Sequence, residues 1–137
     1  MEISPKQEHT LYDAVGGDEF FHRLVHGFYA QVKEDDLLGP MYPEDDLSGA
    51  EDRLRWFLVQ YWGGPREYQE HRGNPMLRKR HLPFTIGEAE ADRWLEMMGK
   101  SMEQFDDDEL PEPYRGQMWN HMQRVAYMMI NHGPRAY

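Results

Sequence analysis

The chain has 137 residues, a formal net charge of −10, ten methionines, four tryptophans and no cysteine. That length supports one domain with its own core, needing no covalent staples. The missing thiols exclude disulfides, thiolate-held iron and iron–sulfur clusters, and the acidic balance argues against nucleic acid and anionic membranes, which both select clustered cations. No apolar run is long enough to span a bilayer. The opening Met1-Glu2-Ile3-Ser4-Pro5 lacks a signal-type apolar stretch, so the expected location is cytoplasmic.

The first helix is expected over Asp18–Lys33, where Phe20, Phe21, Leu24, Val25, Phe28, Tyr29 and Val32 form a broad apolar stripe. Gly16-Gly17 punctuates its start and Asp18 is the expected N-cap. Residues 34–47, around Gly39-Pro40-Met41-Tyr42-Pro43, read as an irregular corner with a short helical turn. The next helix is expected over Ser48–Trp62, with Ser48 and Glu51 as a capping box and Gly63-Gly64-Pro65 as its stop. Residues 63–76 read as a long polar loop, a length that usually carries function. One turn of helix is expected at 77–82. A further helix runs over Gly87–Phe105 with Ala91, Trp94, Leu95, Met98, Met102 and Phe105, and the last over Pro113–His132 with Met118, Met122, Val125, Ala126, Met129 and Ile130. Asp106-Asp107-Asp108-Glu109 is a solvated connection between them. No segment alternates with period two, so the chain reads as all-α.

The stretch with most chemistry is Leu77-Arg78-Lys79-Arg80-His81-Leu82-Pro83-Phe84. A cysteine-free chain can hold haem iron through His, Met or Tyr, and a ligating imidazole needs a carbonyl or carboxylate on its other nitrogen. A helical turn ending at His81 offers backbone carbonyls such as that of Leu77, and Pro83 fixes the corner. Arg78, Lys79 and Arg80 supply charge for haem propionates. Taken alone, a histidine beside basic residues is more often an ordinary surface residue. By periodicity alone, Tyr29 and Trp94 are core packing and Tyr42 is a loop plug. His22 and His26 have metal-pair spacing, yet Arg23 stands where a zinc protease needs glutamate, so they read as surface residues.

Taken together, six segments resemble the truncated haemoglobins, in particular the bacterial second group with a tryptophan in the distal pocket. They are Leu11–Gly17, Phe28–Val32, Tyr42–Leu47, Gln60–Arg66, Arg80–Phe84 and Arg93–Leu95, in the right order over most of residues 10–133. The resemblance implies a two-over-two helical sandwich, the truncated globin fold, enclosing one five-coordinate b-type haem. Residues 10–137 would form that domain and 1–9 a flexible extension. His81 matches the proximal iron ligand. Tyr29, Tyr42 and Trp94 match the polar residues over the iron, and Ala50 the position where many globins carry a distal histidine. Leu54, Phe57 and Leu58 would line the same pocket. Phe28, Leu77, Phe84, Ile86 and Met98 match haem-wall positions, and Arg53 and Arg78 are candidates for the propionates.

The function that follows is reversible binding of oxygen and other diatomic ligands such as nitric oxide and carbon monoxide. The alternative is a haem redox enzyme, a nitric oxide dioxygenase or peroxidase. It would need an external reductase, because the chain carries no flavin or nicotinamide motif. A structural haem in a sensor domain is a weaker third reading. Aromatics such as Tyr114 and Trp119 leave a homodimer open.

Overall fold

Residues 10–42 and 46–131 are described by the computed structural model, except for the Arg78 side chain, and every regular element among them is helical. The expected extension 1–9 and the end of the domain beyond residue 131 lie outside the described residues. A short α1, Leu11–Ala14, opens the fold, its first turn held by Thr10 Oγ1 accepting from the Asp13 amide at 3.2 Å. The sequence pattern had not indicated this helix. Gly16 and Gly17 both take positive φ, which a side chain would strain, and turn the chain into α2, Asp18–Val32. Gly17, not Asp18, is the N-cap. Asp18 is the first helical residue, where its charge favours the helix dipole without capping it. All seven expected apolar residues of this helix are buried.

A turn of 3₁₀ helix at Gly39–Met41 fills the expected corner. Helix α3, Leu47–Tyr61, begins one residue early, and the Ser48–Glu51 box does not form: the N-cap is Asp46. Glu51 instead pairs with His26 across to α2 at 3.1 Å. The segment read as a long loop contains α4, Glu67–Arg72. Three contacts hold it. Tyr68 is buried, Trp56 of α3 stacks on His71 with centroids 4.2 Å apart, and Gln60 Oε1 accepts from the Gln69 amide at 2.9 Å. Helix α5 is a single turn, Leu77–Arg80. Helix α6, Glu88–Met102, starts where Glu90 accepts from the Gly87 amide at 2.7 Å, and α7 covers Glu112–Met128.

Helix α2 packs on both α3 and α6, and α6 packs on α7. One helical pair, α2 with α3, thus meets a second, α6 with α7, as expected of a two-over-two sandwich. The α2–α6 contact is close. A Cβ at Gly27 would sit 2.5 Å from Ser101 Oγ, so only glycine lets that hydroxyl donate to the Leu24 carbonyl. Gln31 Nε2 donates to the Met97 carbonyl at 2.8 Å in the same interface. Phe21, Leu24, Phe28 and Met98 have no exposed surface there. Each such side chain contributes about 1.5–3 kcal/mol by leaving water. No helix among the described residues is long and apolar enough to cross a membrane.

Candidate functional site

A cavity of about 660 Å³ lies among α2, the 3₁₀ turn, α3, α4, α5, α6 and α7. That volume is within the range that takes a drug-sized or cofactor-sized ligand. Helix α3 supplies Ala50, Leu54, Phe57 and Leu58, spaced so that one helical face forms an apolar wall. Leu77, His81, Phe84 and Ile86 line it from α5 and the following turn, Met122, Val125 and Ala126 from α7, and Met129 from the C-cap of α7.

His81 follows α5 directly. Its Nδ1 lies 2.7 Å from the Leu77 carbonyl, which also accepts the His81 amide at 3.1 Å. A carbonyl can only accept, so Nδ1 carries the proton and the Nε2 lone pair is left for a metal. This is the orienting bond a histidine ligand requires. No group of three or more His, Asp or Glu suited to a metal occurs among the described residues. One oriented imidazole in an apolar cavity suits a metal whose other donors come from a macrocycle, and the donor set therefore fits haem.

Tyr29, on α2, is 5 % exposed and meets Tyr42 edge to face at 5.4 Å. Burial, and next the charge of a neighbouring Tyr42, hold the Tyr29 phenol well above its usual pKa; burial also raises that of Tyr42. Both hydroxyls stay protonated near neutral pH, and because the two phenols hydrogen-bond each other, one of the two protons is engaged within the pair. Trp94, on α6, is half-buried in the same lining and packs on Phe28 at 5.3 Å.

Twelve expected site residues therefore share one cavity: His81, Tyr29, Tyr42, Trp94, Ala50, Leu54, Phe57, Leu58, Arg53, Leu77, Phe84 and Ile86. Phe28 and Met98 do not reach it. Their apolar positions on α2 and α6 point into the helix–helix core, where both are fully buried. Arg53 donates to Asp46 at 2.7 Å while bordering the cavity, and the Arg78 side chain lies outside the described residues. Arg80 also borders the cavity, but its guanidinium is spent on the carbonyls of Pro75, Arg72 and Asn74 and closes the α4–α5 connection.

Sequence reasoning missed Arg72, Tyr68 and His121 in the lining. The first two belong to the unrecognised α4. His121 is 4 % exposed on α7, stacks on Tyr61 with centroids 3.8 Å apart, and has an Nδ1 with no hydrogen-bond partner among the described residues. Its place beside the stripe residue Met122 was the only available signal.

The model for the bacterial-like globin family matches residues 10–131. The chain is similar to the Group 2 truncated hemoglobin YjbI of Bacillus subtilis (strain 168), with 38 % identity over 120 residues covering 88 % of this chain and 87 % of that one. Among solved structures it is similar to a thermostable hemoglobin from the actinobacterium Thermobifida fusca, at 51 % identity and a TM-score of 0.83, covering 90 % of this chain and 98 % of that one. It is also similar to the group II truncated hemoglobin of Bacillus anthracis, at 35 % identity and a TM-score of 0.85, covering 95 % and 97 %.

Proposed function

The chain belongs to the bacterial-like globin family of haem-binding proteins, and from that premise we propose that it reversibly binds oxygen and related diatomic ligands at a b-type haem held by His81. When bound, haem supplies an iron with an open coordination position for a small ligand. The observation that carries the reading is the Nδ1 bond of His81 to the Leu77 carbonyl inside the same cavity as Tyr29, Tyr42 and Trp94. That bond orients Nε2 and raises its basicity as a donor to iron. Haem propionates would meet Arg53 and Arg72 at the cavity border. The apolar α3 and α7 walls would exclude water from the ring.

The three polar side chains divide the remaining work. The indole N–H of Trp94 can only donate, whereas each tyrosine hydroxyl can donate or accept. A diatomic ligand that gains negative charge is held by such a donor through a charge-assisted bond. Ala50 leaves space on the α3 face where a larger side chain would crowd entry.

Replacing His81 by Ala should abolish the normal haem spectrum of the purified protein, in the ferric, ferrous and carbon monoxide forms. An unchanged Soret band in all three would refute the assignment. Trp94→Phe keeps an aromatic ring and deletes one donor. Losing about 1.5–3 kcal/mol of charge-assisted hydrogen bonding should speed oxygen dissociation roughly 10- to 100-fold in stopped flow. An unchanged rate would transfer the retaining role to Tyr29 and Tyr42.

A further inference from the structure

Asn131 lies just beyond the end of α7, and its hydrogen bonds all go to the turn that follows His81. Its Nδ2 donates to the His81 carbonyl at 3.1 Å and to the Phe84 carbonyl at 3.0 Å. Its Oδ1 accepts from the Ile86 amide at 3.0 Å, and its own amide donates to the Ile86 carbonyl at 2.9 Å. The amide cannot be turned over, because Nδ2 would then face the Ile86 N–H, donor against donor. Within the turn itself, the Leu82 amide donates to the Lys79 carbonyl at 3.2 Å and the Phe84 amide to the His81 carbonyl at 3.0 Å, and Pro83 has no N–H to add a third such bond. Leu82 and Phe84 are both exposed.

We infer that Asn131 is a positioning residue for His81, so that the end of α7 sets how the imidazole meets the iron. The inference rests on the reading of His81 as the iron ligand. Leu77 fixes the ring at Nδ1 and the backbone amide on one side of His81, and Asn131 fixes the carbonyl on the other. With both sides held, the imidazole has one orientation. With the Asn131 side removed, the ring can tilt about its bond to Leu77, and the Nε2 lone pair swings away from the axis it would share with a metal. Groups bonded directly to a ligating ring, as the Leu77 carbonyl is here, typically account for 10- to 100-fold in metal affinity, and Asn131, acting through the His81 backbone, belongs at the lower end.

The test uses the haem-loaded protein and two substitutions. Asn131→Ala removes all three side-chain bonds. Asn131→Asp keeps an acceptor for the Ile86 amide but sets a carboxylate against the His81 and Phe84 carbonyls. The readouts are the iron–histidine stretching band of the ferrous, ligand-free protein by resonance Raman and the rate of haem transfer to apomyoglobin. Both variants should shift or broaden the band and speed haem transfer by about 10-fold. Tyr127→Phe is the control: it deletes the Tyr127–Asp92 hydrogen bond between α7 and α6 and should lower stability while leaving the band in place. A clear wild-type band that neither Asn131 variant moves would overturn the inference, as would an equal shift in Tyr127→Phe. A wild type with no such band, matching His81→Ala, would overturn the reading of His81 itself.

Discussion

His121 combines 4 % exposure with an Nδ1 that has no partner among the described residues, so its environment favours the neutral ring. Burial first, and then the charge of Arg124, lower its pKa from 6.5 to about 4. The unfolded chain therefore takes up a proton between pH 6.5 and about 4 that the folded chain refuses, and stability falls as pH drops through that window. With a folded pKa of about 4, the loss between pH 7 and pH 5 is about 2 kcal/mol. Urea unfolding of the wild type and His121→Phe at both pH values isolates it. The wild-type advantage over the variant should shrink by about 2 kcal/mol on acidification. A difference that stays constant would mean that the folded protein protonates His121 freely. Trp62, whose Nε1 is likewise buried with no partner among the described residues, meets the His121 ring edge to face at 5.3 Å. A solvated imidazolium could form there only by disturbing this packing.

At the scale of elements, legibility followed the cause of each helix. Helices α2 and α6 were readable because their apolar stripes are wide and face one another across the core. Helix α4 was not: Glu67-Tyr68-Gln69-Glu70-His71-Arg72 has one buried residue, and its partners Trp56 and Gln60 lie on another helix. Tertiary contacts decided that segment, and local propensity could not announce them. The same holds for the Ser48 cap, which lost to a start at Asp46 where Arg53 engages the Asp46 carboxylate. In the site, the His81–Leu77 bond was legible because helical geometry brings a ring nitrogen back to the carbonyl one turn earlier. Grouping Tyr29, Tyr42 and Trp94 needed the family resemblance, since periodicity alone assigned all three to packing. Phe28 and Met98 illustrate the converse limit. An apolar stripe tells which side is buried, but not whether core or cavity lies against it.

For the whole molecule, the cavity divides the fold into a part that stands by itself and a part that needs its ligand. The α2–α6 interface buries Phe21, Leu24, Phe28 and Met98 completely, and none of these touches the cavity. The face of α3 carrying Ala50 to Leu58, helices α4 and α5 with the turn after them, and the last turns of α7 instead close around about 660 Å³. Emptying that volume removes packing partners from one side of each lining residue. Haem at 100 times its dissociation constant would stabilise the fold by about 2.7 kcal/mol. For a chain of this size that is roughly 10 °C in Tm. Removing haem should therefore lower Tm by about that amount or more, and hydrogen exchange should quicken around residues 67–86 while α2 and α6 stay protected. His81→Ala should narrow the difference between haem-treated and haem-free protein, because the remaining cavity walls offer burial without an iron bond. Two results would defeat this division: coincident melting with and without haem, or loss of protection spread evenly over α2 and α6. The second would mean that the α2–α6 core depends on the ligand as much as the cavity walls do.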